Sequence, residues 1–225
     1  FDASYYGVYR SDGGSGWLRI YATKTPYETS YIDKNVNAGK TSYSYAIRPT
    51  DNCYNTGAFS NVSKTILLSG YSERLKNHLS WSNYEVWANS VASYDIYRAD
   101  DDGVPFVVGT VAAGVNKFTD TFFTSSARRY CYYIQAHENP GGFSAVSNSN
   151  IICLAQQPVY WIPNVFSPGV SPGLNDFFKP YGLYFDTYEV QRFNRWGELL
   201  FKSTKEQLAW DGTFQGKPVP EDTYI

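Results

Sequence analysis

Apolar and polar positions alternate with period two in several short stretches of this chain. The clearest are Tyr43-Ser44-Tyr45-Ala46-Ile47 and Tyr130-Cys131-Tyr132-Tyr133-Ile134. Such alternation predicts strands with one buried face. The two stretches also belong to an internal repeat with a period of about 87 residues, near the length of one β-sandwich domain. Tyr6-Gly7-Val8-Tyr9-Arg10 matches Tyr94-Asp95-Ile96-Tyr97-Arg98, and Ser30-Tyr31-Ile32-Asp33 matches Lys117-Phe118-Thr119-Asp120. Phe59-Ser60-Asn61-Val62-Ser63 matches Phe143-Ser144-Ala145-Val146-Ser147. Turn formers separate these segments: Asp12-Gly13-Gly14, Asn37-Ala38-Gly39, Asp100-Asp101-Asp102-Gly103 and Asn139-Pro140-Gly141-Gly142. No amphipathic helical pattern stands out, so the expected class is all-β.

Composition sharpens that reading. Hydrophobic residues make up 43% of the 225, enough for packed cores. Aromatics reach 18%, with 21 Tyr and 6 Trp, as suits β-rich modules that pack rings on pleated faces. A net charge of −2 gives no electrostatic case for nucleic acid or an anionic membrane. No apolar run reaches the roughly 18–20 residues of a spanning helix, and Phe1 does not begin a signal peptide. With no Met at all, the chain reads as a piece of a longer polypeptide.

Catalytic chemistry is thinly supported. His78 and His137 are the only histidines, and there is no HExxH, GxSxG or glycine-rich phosphate loop. Both histidines read as structural. The acids Asp100, Asp101 and Asp102 read as a hairpin turn before Gly103. A weak surface Ca²⁺ site is the alternative, because the spacing is not that of an EF-hand loop. No catalytic group, cofactor or metal site is assigned, and the chain is not expected to be an enzyme.

The last third carries four blocks in order. They are Tyr160-Trp161-Ile162-Pro163-Asn164-Val165-Phe166-Ser167-Pro168, then Phe193-Asn194-Arg195-Trp196-Gly197-Glu198-Leu199-Leu200-Phe201, then Trp210-Asp211-Gly212-Thr213, then Gly216-Lys217-Pro218-Val219-Pro220. Each reads as strand and tight turn. As a set they resemble the gliding-motility-associated C-terminal domain, the type B sorting domain of the Bacteroidetes type IX secretion system. The motif positions that carry the resemblance are Pro163, Asn164, Phe166, Pro168, Asn175, Asp176, Phe178, Phe193, Asn194, Arg195, Trp196, Gly197, Phe201, Trp210, Asp211, Gly212, Pro218 and Pro220. Trp196 and Trp210 are both expected in a small core, and Gly197 and Gly212 at turns. Two departures stand out. Gly169-Val170-Ser171-Pro172-Gly173 replaces an Asn-Gly-Asp-Gly-like loop, and Arg192 stands where an apolar residue is usual. Thr223-Tyr224-Ile225 reads as the start of a strand that family members continue.

The upstream repeats resemble fibronectin type III domains, on Leu79-Ser80-Trp81 for the second strand, Tyr94–Arg98 for the third and Tyr130-x-Tyr132-x-Ile134-x-Ala136 for the sixth. One of those tyrosines is then expected to form the tyrosine corner. The first repeat has no Leu-x-Trp counterpart, so its opening strands are expected to be missing and its sheet to need a cover. The resulting division is a partial domain over 1–69, a second over 70–157 and the sorting domain over 158–225. The resemblance puts Cys131 in the sixth strand and Cys153 at the end of the seventh, close enough for a disulfide; two buried free thiols are the alternative. Cys53 is left as the orphan.

Together the resemblances imply the export region of a large secreted protein placed on the cell surface, foremost an adhesin. Its partners would be the type IX translocon and a PorP/SprF-type outer-membrane barrel. Two other readings stay open: an export tail of a polysaccharide-degrading enzyme, and a carbohydrate-binding sandwich using Trp17 or Trp87.

Overall fold

In the computed structural model, the described residues are 3–14, 16–85, 87, 89–121, 127–141, 145–170 and 173–225. The expectations that fall on Phe1, Gly142, Phe143, Ser144, Ser171 and Pro172 lie outside them. Every regular element among the described residues is a strand, and no helix is long and apolar enough to cross a membrane. The chain divides into two compact units, the first running to Ala155 and the second from Gln156 to Ile225. Both repeats fall in the first.

The first repeat is one antiparallel sheet of β1 (Tyr5–Ser11), β2 (Leu18–Ala22), β3 (Ser44–Thr50) and β4 (Ser63–Lys64), in the order β2-β1-β3-β4. Its central register pairs Tyr6 with Pro49, Val8 with Ile47 and Arg10 with Tyr45. Those side chains therefore share one face, while Tyr9 and Arg48 share the other. On that second face the Phe59 ring meets Tyr9 edge-on at 5.0 Å and lies 5.8 Å from Trp17. The Ser30–Asp33 stretch crosses the first face without forming a strand.

The second repeat is a complete sandwich. Its strands are β5 (Leu68–Glu73), β6 (Lys76–Trp81), β7 (Val91–Asp100), β8 (Phe106–Ala112), β9 (Lys117–Asp120), β10 (Arg129–Glu138), β11 (Val146–Asn148) and β12 (Ile152–Ala155). One sheet runs β5-β6-β9; the other runs β8-β7-β10, with β11 and β12 successively pairing β10. This arrangement of three strands facing five, with β11 and β12 sharing one position beside β10, is fibronectin type III-like, as the resemblance implies. Period-two alternation sends Tyr94, Ile96, Tyr130, Tyr132, Ile134 and Ala136 inward against Leu68, Leu79 and Trp81. Tyr130 forms the tyrosine corner, its hydroxyl donating to the Ala127 carbonyl at 3.2 Å. The Asn150 side chain ties the last strand region to the first, accepting from Leu68 N at 2.7 Å and donating to Leu68 O at 3.0 Å.

On the outer face, Cys131 and Cys153 sit directly opposite each other on β10 and β12 and form a disulfide. Cys53 is a free, exposed thiol.

The second unit is built of three hairpins: β13 (Val159–Trp161) with β14 (Tyr181–Leu183), β15 (Val190–Phe193) with β16 (Leu199–Ser203), and β17 (Thr213–Phe214) with β18 (Lys217–Pro218). A bridge between Phe178 and Trp210 links segments outside these strands. Phe193 and Ile225 exchange two backbone hydrogen bonds, so the free edge of β15 is paired at that point.

Candidate functional site

Trp210 organises the second unit. It is 2% exposed, its indole N–H donates to Thr213 O at 2.8 Å, and its ring lies 5.3 Å from Phe166 and 5.2 Å from Tyr224. Phe166 meets Phe178 at 5.9 Å. Gly212 is a tight point of this contact. Its φ of +77° disfavours any residue with a Cβ, and a Cβ there would come within 2.8 Å of Pro168 Cγ. The Phe-x-Pro and Trp-Asp-Gly blocks, far apart in sequence, are thus two halves of one packed contact.

The loop acids are positioned by the backbone. Asp176 spans the Gly169–Gly173 segment, accepting from Gly169 N at 3.0 Å and Gly173 N at 2.6 Å. Asn175 adopts φ +57° and its carbonyl accepts from Ser167 N. Asp211 accepts from the Thr213 backbone and hydroxyl. Asp211 closes an Asx turn, and Asp176 caps backbone N–H groups upstream of it, so each carboxylate fixes its loop through backbone donors. Among the described residues no cluster of three metal-ligating side chains forms.

The β15–β16 hairpin tip corrects one expectation. Asn194 Oδ1 accepts from Trp196 N and Glu198 N, both at 3.0 Å, and its amide donates to Glu198 at 2.9 Å. Gly197 completes the turn at φ +83°. A residue at the apex of so tight a turn cannot reach a core, and Trp196 is 82% exposed rather than packed inside. Beside it Arg195, ion-paired with Asp222, lies 5.7 Å from the indole. That pairing holds the Asp222 carboxyl below its ordinary pKa.

Arg192 finds its partner in an aromatic face. Its guanidinium carbon lies 3.4 Å from the Phe178 ring centroid, a cation–π contact, while burial lowers its pKa. Phe201 stands opposite Arg192 across the β15–β16 pair, and Phe193 anchors Ile225. Pro218 ends β18, and Pro220 O accepts from the Tyr224 hydroxyl. Pro163 is half-buried and Asn164 exposed.

A family model for the CHU_C Type IX secretion signal domain matches residues 160–225. The C-terminal region is a type IX secretion signal domain. Such a signal implies recognition by the secretion machinery and passage across the outer membrane. No curated protein matches the chain. Among solved structures, the FN1–FN3 domains of chicken CNTN1 match 68% of this chain at 16% identity and a TM-score of 0.30; the match spans 55% of that protein's chain. The fibronectin type III-like character of the region ahead of the signal domain rests on its strand order and register.

The remaining candidates are structurally engaged. His137 contacts Asp95 at 2.9 Å; His78 contacts Glu73 at 2.9 Å and stacks on Tyr71. Asp101 caps the backbone N–H groups of Arg128 and Arg129, and Asp102 pairs with the Arg129 guanidinium. Trp87 packs with Tyr84 against the second-repeat core, and Trp17 is 37% exposed beside Phe59.

One constellation went unnoticed in the sequence. Arg98 ion-pairs with Asp120 at 2.9 Å, and Tyr132 donates to the same carboxylate at 2.9 Å. Arg10 pairs with Asp33 at 2.7 Å, and Tyr45 donates to it at 3.1 Å. The six residues hold matching places in the two repeats, and that coincidence was the available signal.

Proposed function

We propose that this chain is the export and surface-placement region of a large secreted adhesin, with no catalytic role of its own. The sandwich region acts as a spacer, and the signal domain is read in its folded state by the type IX translocon together with a PorP/SprF-type barrel. The observation that carries the reading is the division of labour among the motif aromatics. Phe166, Phe178 and Trp210 build the interior, whereas Trp196 is held outward on a rigid tip. A folded signal can be read only through its surface, and a pre-ordered exposed indole is a strong anchor for a partner.

The test is a transplant. A periplasmic fluorescent reporter carrying residues 158–225 plus the natural C-terminus is expected to reach the cell exterior only in cells with the translocon. Trp196→Ala is expected to reduce export while leaving the melting curve of the domain unchanged. Equal export with and without the translocon would overturn the sorting reading. Unchanged export of the Trp196→Ala reporter would remove the tip from the recognised surface.

A further inference from the structure

Three basic side chains belong to the β15–β16 hairpin, and two of them are neutralised within the domain. Arg195 pairs with Asp222, and Lys202 pairs with Glu189 at 3.1 Å. Arg192 has neither an acid nor a hydrogen-bond acceptor among the described residues. Its guanidinium is held over the Phe178 ring, with Nε enclosed and unsatisfied, which leaves the Nη end to face solvent. Phe178 is 5% exposed and exchanges two backbone hydrogen bonds with Trp210, so the surface under the cation is fixed. An aromatic face offsets only part of what a desolvated guanidinium loses. An apolar residue, usual at this position in such domains, would pack against Phe178 without that cost. A charge placed there against the interest of folding points to a use outside the fold.

We propose that Arg192 is a specificity-determining residue of the export signal. Its Nη end takes one carboxylate, an Asp or Glu side chain on the secretion component that reads the domain. The chemistry selects the anion. A guanidinium presents parallel N–H donors that match the two oxygens of a carboxylate. A phosphate carries more charge and asks for further cations, whereas Arg195 and Lys202 are already paired with Asp222 and Glu189. Stacking on Phe178 orders the guanidinium in advance, so little freedom is lost when the carboxylate arrives. Trp196 then supplies the apolar anchor, and Arg192 the charged contact that discriminates between partners. The contact refines the export reading and rests on it.

The test uses the full chain with its natural C-terminus, carrying a fluorescent reporter, in cells that possess the translocon. Arg192→Leu, Arg192→Gln and Arg192→Lys are compared with the parent for export, and as purified chains for urea unfolding. Arg192→Leu is expected to slow export about tenfold, the weight of a hydrogen bond to a charged group, while its unfolding midpoint stays at or above the parent's. Arg192→Lys is expected to keep part of the export, and Arg192→Gln to behave as Arg192→Leu does. Export of Arg192→Gln equal to the parent's would mean a neutral acceptor and overturn the carboxylate. Unchanged export of Arg192→Leu, or loss of export and stability together, would overturn the contact, the second outcome by giving Arg192 a structural role. So would binding of the parent chain to phosphatidylglycerol vesicles that Arg192→Leu abolishes, because a lipid phosphate would then be the anion. A parent exported equally without the translocon would strike the sorting reading itself, and this contact with it.

Discussion

Arg10–Asp33–Tyr45 and Arg98–Asp120–Tyr132 are one device in two settings. The bond lengths are nearly the same, but Arg98 and Asp120 side chains are 5% and 1% exposed against 15% and 8% for Arg10 and Asp33. Burial alone would lower the Arg98 pKa, yet its bonds to Asp120 and Asp100 raise it. Burial would likewise raise the Asp33 pKa, yet the bonds from Arg10, Asn35 and Tyr45 lower it. The comparison teaches that the cluster joins an Arg and a Tyr of one sheet to an Asp of the segment crossing over it. That segment is β9 of the facing sheet in the second repeat and a strandless stretch in the first, while the cluster's energetic weight depends on the layer that covers it. A covered ion pair costs most when one partner is removed, because the other is left charged and dry.

The largest effect is therefore expected from Asp120→Ala, which leaves the buried Arg98 its pair with Asp100 but not with Asp120, takes the Asp120 acceptor from the buried Tyr132 hydroxyl, and should cost about 3–5 kcal/mol in urea unfolding. A much smaller loss would mean that water reaches the pair and that the two settings are alike. Trp210→Ala should cost a similar 3–5 kcal/mol or so in the signal domain, against under about 0.5 kcal/mol for the exposed Trp196→Ala. Reducing the Cys131–Cys153 disulfide should remove about 3 kcal/mol for a separation of 22 residues, since the first repeat shows the same sheet without this staple. Asp33→Asn should cost only about 1 kcal/mol, the worth of an ordinary hydrogen bond.

The smallest and most selective difference is in alkaline titration. Burial and the bond to Asp33 push the Tyr45 hydroxyl up to about 12, and burial raises Tyr132 beyond that. A folded pKa above the unfolded value, about 10, contributes stability that is complete below 10 and fades as pH rises through 12. Tyrosinate absorbance is expected to report Tyr45 before Tyr132. Asp33→Ala should bring Tyr45 down while leaving Tyr132 where it was.

Much of this architecture was legible because strands advertise themselves locally. Tyr130-x-Tyr132-x-Ile134-x-Ala136 states its buried face, and the repeat carries the same pattern to Tyr43–Ile47. What stayed hidden was fixed by partners distant in sequence or by turn geometry. The Phe178 ring that receives Arg192 lies before β14 in the chain and outside the β15–β16 hairpin, so Arg192 read as an oddity. Trp196 read as core by residue type, although Asn194 and Gly197 on either side already described a tight tip with no inward direction. The contact of Pro168 with Gly212 explains why those blocks occur together, but only in three dimensions.

The disulfide also has a mechanical meaning. The chain leaves the sandwich at Ala155, the last residue of β12, so a pull from the C-terminal side loads the Arg129–Ala155 end of the β10–β12 ladder first. Hydrogen bonds loaded one after another from an end open like a zipper at low force. Cys153, two residues inside that end, is bonded covalently to Cys131. Peeling stops there, and the tension passes into β10 at the centre of its sheet. In the surface-placement role proposed above, the load would rest on a single bond that only chemistry, not stretching, will release.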